Sequence, residues 1–288
     1  MSHATAAQLV RTGALRLAEA GVEQARVEAE WLLADVLRTS PLTMRLDGAP
    51  VPPEAVEQYL AWIGQRAQGT PLQYVTGQAP FFDLLFDVQP GVFIPRPETE
   101  AVVSRVLEVL RTRQAALGRP LRVVDVGTGT GCIAATLAKA LPACLAVGIE
   151  VSWSALLVAQ RNLKRHGLLN QVQVVQGRWL EPISARVDAI VSNPPYVPTD
   201  QVNRLPLTVR QEPRTSLDGG RDGLRDLDVV ISQASDCLLS RGLLALECGE
   251  EQVEPLRRRV AGLSWVSSVE PVHDLAGRPR GLIIERTD

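Results

Sequence analysis

At 288 residues, and at roughly 150 residues per domain, the chain points to about two domains and can bury a core without staples. Hydrophobic residues make up 45% and charged residues 22%, which excludes a largely disordered or fibrous protein. Lys and Arg total 30 against 32 Asp and Glu, a net charge of −2, so no global positive field is available to hold nucleic acid and no direct nucleic-acid partner is expected. Cys132, Cys144, Cys237 and Cys248 form no C-x-x-C pair, and His3, His166 and His273 lie far from them in sequence; neither a metal site nor a disulfide framework is expected. No run approaches the ~18 apolar residues of a membrane span, and Met1 to Thr5 lead into no signal-peptide pattern. The expectation is a cytoplasmic monomer with no membrane partner.

Residues 1–75 read as three short amphipathic helices. Val10, Ala14 and Leu17 share one face, and Gly21 stops that helix. Ala25, Ala29, Leu32, Leu33, Val36 and Leu37 form a second stripe, broken at Ser40-Pro41, and Val56, Leu60, Ile63 and Ala67 a third. Such spacing buries one side of each helix. Residues 76–97 differ: all four phenylalanines (Phe81, Phe82, Phe86, Phe93) fall there among prolines, the pattern of a hairpin connector that packs on its neighbours.

From residue 98 to 288 the pattern alternates. A helix is predicted over 98–116, then a strand at 123–126, a glycine loop, a helix at 132–140, a strand at 145–149 and a helix at 153–166. Further strands are expected at 172–176, 187–191, 243–247, 264–270 and 281–285, with helices at 223–239 and 250–261. Short apolar strands separated by helices make a mostly parallel sheet covered on both faces. The last two strands are joined by a Gly/Pro turn alone, so the last strand is predicted antiparallel.

Two motifs carry chemistry. Asp125-Val126-Gly127-Thr128-Gly129-Thr130-Gly131 sits between strand and helix, where glycines let a ligand approach main-chain N–H groups. It is not G-x-G-x-x-G, because Cys132 stands where the third glycine would be. Glu150 ends the next strand, about 20 residues on, where Rossmann-type sites place an acid for ribose hydroxyls. Asp125 is expected to brace the loop. The second motif, Asn193-Pro194-Pro195-Tyr196, leaves the strand predicted next to the first one. A planar amide or aromatic amine is a poor nucleophile because its lone pair is delocalised. The Asn193 oxygen and the Pro194 carbonyl can accept its two N–H bonds, the prolines fix that carbonyl, and Tyr196 offers a flat face. His166 reads as a helix-end charge partner, His273 as a residue of the terminal turn, Cys248 as core, and Arg257 to Arg259 as a solvated face.

With these motifs the chain resembles the HemK/PrmC family of protein-(glutamine-N(5)) methyltransferases, which act on peptide chain release factors. The likeness extends to Gly69-Thr70-Pro71-Leu72-Gln73-Tyr74, to Phe93-Ile94-Pro95-Arg96-Pro97-Glu98-Thr99-Glu100, to Glu212-Pro213 and to the segment from Leu217 to Leu224. It implies an α/β fold: a Rossmann-like seven-stranded methyltransferase domain preceded by a small helical bundle and a β-hairpin connector. It implies S-adenosylmethionine as cofactor and, as substrate, the glutamine of the Gly-Gly-Gln loop of class I release factors, docked by the helical domain. By the family's pattern Gly127, Thr128, Gly129, Thr130 and Gly131 line the methionine end of the cofactor. Glu150 binds the ribose, Trp179 lies against the adenine, and Phe93 and Arg96 help to close the site. Asn193, Pro194, Pro195 and Tyr196 hold the target amide. Arg178 stands where the family commonly has an acid, so another group accepts from the adenine amino group or that contact is absent. The alternative is a nucleic-acid methyltransferase acting on adenine amino groups, since such enzymes share N-P-P-Y. Against it, the first 80 residues hold six Arg and eight acidic residues. An inactive cofactor-binding scaffold would predict decay at Asn193 or in the glycine loop, and both are intact.

Overall fold

The computed structural model describes residues 4–47 and 50–288. In chain order the elements are α1 (Ala6–Glu19), α2 (Ala25–Val36), α3 (Pro41–Asp47), α4 (Pro53–Ala67), α5 (Leu72–Thr76), β1 (Gln78–Phe81), β2 (Leu84–Asp87), α6 (Pro97–Leu117), β3 (Leu121–Val126), α7 (Cys132–Ala140), β4 (Cys144–Glu150), α8 (Trp153–Arg165), β5 (Val172–Gln176) and β6 (Val187–Ser192). They continue with α9 (Thr199–Val202), α10 (Leu207–Arg210), α11 (Arg225–Cys237), β7 (Leu238–Glu247), α12 (Glu250–Ala261), β8 (Val266–His273) and β9 (Pro279–Arg286). Two compact units result: residues 1–78 with 206–211, and residues 79–205 with 212–288.

The first unit is helical, and its core is Leu9, Val10, Leu17, Ala29, Leu32, Leu33, Tyr59 and Ile63. It holds two short helices that periodicity does not predict. Ser40-Pro41, read as a break, starts α3: the Ser40 hydroxyl accepts from Thr43 N at 3.0 Å, and proline suits a first helical position. Pro71 likewise precedes α5. The buried face of α4 also differs from the expected stripe. Leu60 is 37% exposed, whereas Tyr59 and Ile63 are fully buried. The larger ring wins the core, and its hydroxyl donates to the Leu9 carbonyl at 3.2 Å.

The second unit opens with the two-stranded sheet β1-β2. Phe81, Leu84 and Phe86 are buried in one core with Val102, Val106 and Leu110 of α6 and Leu137 of α7. His166, the cap after α8, holds this hairpin: its Nε2 lies 3.1 Å from the Leu85 carbonyl and its ring 5.2 Å from that of Phe86. The main sheet has seven strands in the order β5-β4-β3-β6-β7-β9-β8. β5, β4, β3, β6 and β7 are mutually parallel, and β9 runs antiparallel to both β7 and β8. The strands facing helices on both sides are nearly continuous apolar runs; Val187 to Ser192 of β6 are all buried. β7 begins five residues earlier than the pattern predicts, with a slip in its pairing to β6 between Val187 and Ala189. His273 ends β8 and does not lie in the turn. Arg257 and Arg258 pair with Glu254, and Arg259 with Asp228, on an exposed face.

Candidate active site

β3 ends at Val126 between the ends of β4 and β6, whose Ile149 and Ser192 are its partners there. The chain moves outward from β3 through β4 and β5, then resumes on the other side at β6. Open α/β sheets bind ligands at such a switch point. A cavity of about 370 Å³ lies there, within the roughly 300–1,000 Å³ of small-molecule sites. Its walls include Phe93, Thr99, the loop from Gly127 to Thr130, Glu150, Trp179 and Asn193 to Pro195.

The glycine loop turns with Gly127, Gly129 and Gly131 at φ of 74°, 55° and 81°, a region costly for any residue with a Cβ. A Cβ at Gly127 would meet nothing within 4 Å, and one at Gly129 only the Gly127 carbonyl at 3.9 Å. The open side of the loop is therefore a cradle in which a ligand can lie against bare backbone. Asp125 braces it from below. Its Oδ2 accepts from the Thr128 hydroxyl at 2.5 Å and from Ala134 N at 3.1 Å, while burial pushes its carboxyl up to about 6. Glu150 closes the other side, accepting from Gly129 N at 3.0 Å and from Ser152 N at 2.9 Å. Each of its oxygens keeps a lone pair for a further donor.

The N-P-P-Y corner starts where the Ser192 hydroxyl donates to the Val126 carbonyl at 2.9 Å, tying β6 to the end of β3. Asn193 Nδ2 donates to the Thr99 hydroxyl at 3.1 Å. Its Oδ1 receives no hydrogen bond from any described residue and is the acceptor left on the side chain. Nor does the Pro194 carbonyl receive a hydrogen bond from any described residue. Two acceptors thus stand side by side in the chain at the cavity wall.

Two of the expected site residues lie behind the wall. The Tyr196 hydroxyl donates to Glu247 Oε1 at 3.1 Å, its ring packs against the core beneath the sheet end, and it is not among the residues lining the cavity. A buried carboxyl is the stronger partner for that hydroxyl, so the phenol turns inward. Arg96 also stands back: its guanidinium lies 5.1 Å over the Phe93 ring and pairs with Glu212, which also accepts from Ile94 N at 3.0 Å. It braces Phe93, which does line the cavity.

Thr99 and Glu212 carry no signal in the sequence that would single them out. Both lie in quoted motifs, but their partners are 94 and 116 residues away, so no spacing reveals them. Glu247 could have been found by the rule that picks Glu150, an acid closing an apolar strand. Gly219 and Gly223 explain the glycines of the segment after Leu217. A Cβ on Gly219 would stand 2.6 Å from the Pro195 carbonyl oxygen, and one on Gly223 would stand 2.2 Å from that of Tyr196. That loop lies directly on the N-P-P-Y backbone.

Residues 8–77 match the family described as PrmC N-terminal domain, and residues 85–209 that described as Methyltransferase small domain. A release factor glutamine methyltransferase of Moorella thermoacetica is 40% identical over 95% of this chain and 95% of its own length. One from Geobacter sulfurreducens is 42% identical over 83% and 82%. Among solved structures, a methyltransferase from Pyrococcus furiosus overlays with a TM-score of 0.51 at 20% identity, covering 72% of this chain and 91% of that one; it speaks for the fold.

Proposed function

The chain belongs to the release factor glutamine methyltransferases, and we propose that it methylates the side-chain amide nitrogen of the glutamine in the Gly-Gly-Gln loop of class I peptide chain release factors. S-adenosylmethionine supplies an electrophilic methyl group when bound. The open glycine cradle beside an acid at the neighbouring strand end fits a ligand with an amino-acid end and a ribose. In this reading Gly127 to Gly131 hold the methionine end, Glu150 takes the ribose hydroxyls and Trp179 covers the adenine.

The observation that carries the reading is the pair of free acceptors, Asn193 Oδ1 and the Pro194 carbonyl. A primary amide has two N–H donors, and its lone pair is spread into its carbonyl. Accepting both protons holds the group in one orientation and stabilises the positive charge that grows on nitrogen as it reacts. Pro194 and Pro195 fix the direction of the main chain. The contribution of the corner is orientation and electrostatics set in advance. Phe93, backed by Arg96, shields the site from water. Tyr196 supports the corner from behind through Glu247. The helical unit docks the release factor, and the enzyme works as a monomer in the cytoplasm. Among the described residues no helix is long and apolar enough to cross a membrane.

The test is incubation of purified chain with a purified release factor and labelled S-adenosylmethionine, with mass spectrometry to locate the label. One methyl group on the loop glutamine, absent when that glutamine is replaced by alanine, is the expected result. Label on adenine in nucleic acid, with none on the release factor, would overturn the reading.

A further inference from the structure

The buried face of α8 is apolar except for Asn162, which is fully buried beside Ala159 and Leu163. Asparagine is a poor helix former, and a buried carboxamide is costly unless it is paired. Here it is paired throughout. Its Oδ1 accepts from Asp87 N at 2.7 Å, and its Nδ2 donates to the Asp87 carbonyl at 3.1 Å and to the Thr130 carbonyl at 2.9 Å. One N–H and two carbonyls are the complement of a carboxamide. Aspartate would set an oxyanion against two carbonyl oxygens, and leucine would leave three main-chain groups bare.

The two residues so joined lie 75 and 32 positions from Asn162 and lead to different parts of the cavity wall. Asp87 ends β2, and the chain runs on from it to Gly91, Val92 and Phe93, which line the cavity. Thr130 belongs to the glycine loop, which also lines it. The same helix touches both again. Val92 is packed with Ala155 and Val158, and a Cβ on Gly131 would stand 3.3 Å from that of Ala159. Asn162 itself does not line the cavity. Resting on the proposed function, we infer that Asn162 is a positioning residue for the cofactor: it ties the segment carrying Phe93 to the glycine loop, so that the two keep one spacing around S-adenosylmethionine. The exposed pair of Arg165 with Asp87, at 2.6 Å, holds the hairpin end alone and cannot set that spacing.

The test uses the full chain and compares the parent with Asn162→Asp and Arg165→Ala. The readouts are the Kd of S-adenosylmethionine by calorimetry, kcat on the release factor at saturating cofactor, and amide hydrogen exchange over residues 88–95 and 127–131. In the parent, S-adenosylmethionine should slow exchange in both segments. Asn162→Asp keeps the acceptor for Asp87 N and loses both donors. It should weaken Kd by about tenfold or more, the scale of one lost hydrogen bond, and speed exchange in both segments of the free chain. Its kcat should fall by less than about threefold, since saturating cofactor offsets a loss of binding. Arg165→Ala should leave Kd within about twofold, as an exposed ion pair contributes little. A parent-like Kd in folded Asn162→Asp, exchange that rises in one segment only, a kcat that falls in step with Kd, or an equal loss of affinity in Arg165→Ala would each overturn the inference. Should Asn162→Asp fail to fold, the parent decides: cofactor that slows exchange over 127–131 but not over 88–95 overturns the inference, and slowing of both supports it. A parent that binds no S-adenosylmethionine or leaves the release factor unmethylated would instead overturn the proposed function.

Discussion

The glycine loop after β3 is braced from nearby in the chain: its contacts with Asp125 and Glu150 span 3 and 21 residues. The N-P-P-Y corner is braced from far away, by Val126, Thr99, Glu247 and Gln252 across 66, 94, 51 and 56 residues. One side of the cavity is a local unit of strand, turn and helix that any such sheet can carry. The other is a rigid short segment whose orientation depends on the whole domain having closed around it. The two sides should therefore fail separately. Damage to the loop should show in cofactor affinity, and damage to the corner in turnover.

The largest separation is expected for Asn193→Ala. It removes an acceptor used mainly as the amide nitrogen gains charge, so turnover should drop by about 10³-fold. The Kd of S-adenosylmethionine by calorimetry should stay within a few-fold. An equal loss in both would merge the two sides.

Next in size is a pH effect at the support of the corner. Burial raises the Glu247 carboxyl from 4.5 to about 7 in the folded chain. Between those values the native state binds more protons than the unfolded state, so stability falls as pH rises through the window and the loss is complete above about 7. From pH 5 to pH 8 this one group should cost roughly 2 to 3 kcal/mol. Glu247→Gln cannot titrate and should lose that much less across the same range in urea unfolding. Asp125, raised from 3.8 to about 6 for the same reason, contributes equally to parent and variant and cancels. Identical pH dependence in both proteins would show that Glu247 is not the buried acid it is taken to be.

The same division decides how much of the fold and of the site is legible in the sequence. The loop and Glu150 are legible because local bracing leaves a spacing along the chain. So is the sheet, down to the antiparallel last strand, because a bare Gly/Pro turn leaves no room for a crossover. Asn193 and Pro194 are legible from chemistry. Tyr196 reads as a face offered to substrate, yet its hydroxyl is drawn inward by an acid 51 residues away. Thr99 and Glu212 have no local signature, since each matters only through a partner that the fold supplies, whereas Glu247 closes an apolar strand as Glu150 does. In the helical unit the difference is of another kind. Leu60 and Tyr59 are adjacent, and a rotation of α4 by one position decides which is buried; periodicity alone does not weigh a ring against an aliphatic chain.

On the loop side, Gly129→Val places a β-branched residue at φ 55°, a conformation that costs about 1–3 kcal/mol, and projects a side chain into the space a ligand would fill. The Kd of S-adenosylmethionine should weaken by tenfold or more, while turnover at saturating cofactor falls much less. Unchanged affinity would mean that the cradle holds something else.

The smallest effect, and the one that probes remote bracing most directly, is Gly223→Ala. This glycine is about thirty residues from Asn193 and does not line the cavity. Its added methyl would stand 2.2 Å from the Tyr196 carbonyl oxygen and 2.5 Å from Gln252 Nε2, so the N-P-P-Y backbone must shift or Gln252 must release it. Such overpacking costs about 1–3 kcal/mol, and φ at this position is 75°, which adds strain. If the corner works by fixed direction, the part of that roughly 1 Å shift that reaches Asn193 should reduce turnover about tenfold. Cofactor affinity should be untouched, because the loop owes nothing to Gly223. A variant that loses stability but keeps its turnover would show that the corner is held by the two prolines alone and that the loop from Leu217 to Leu224 merely fills space.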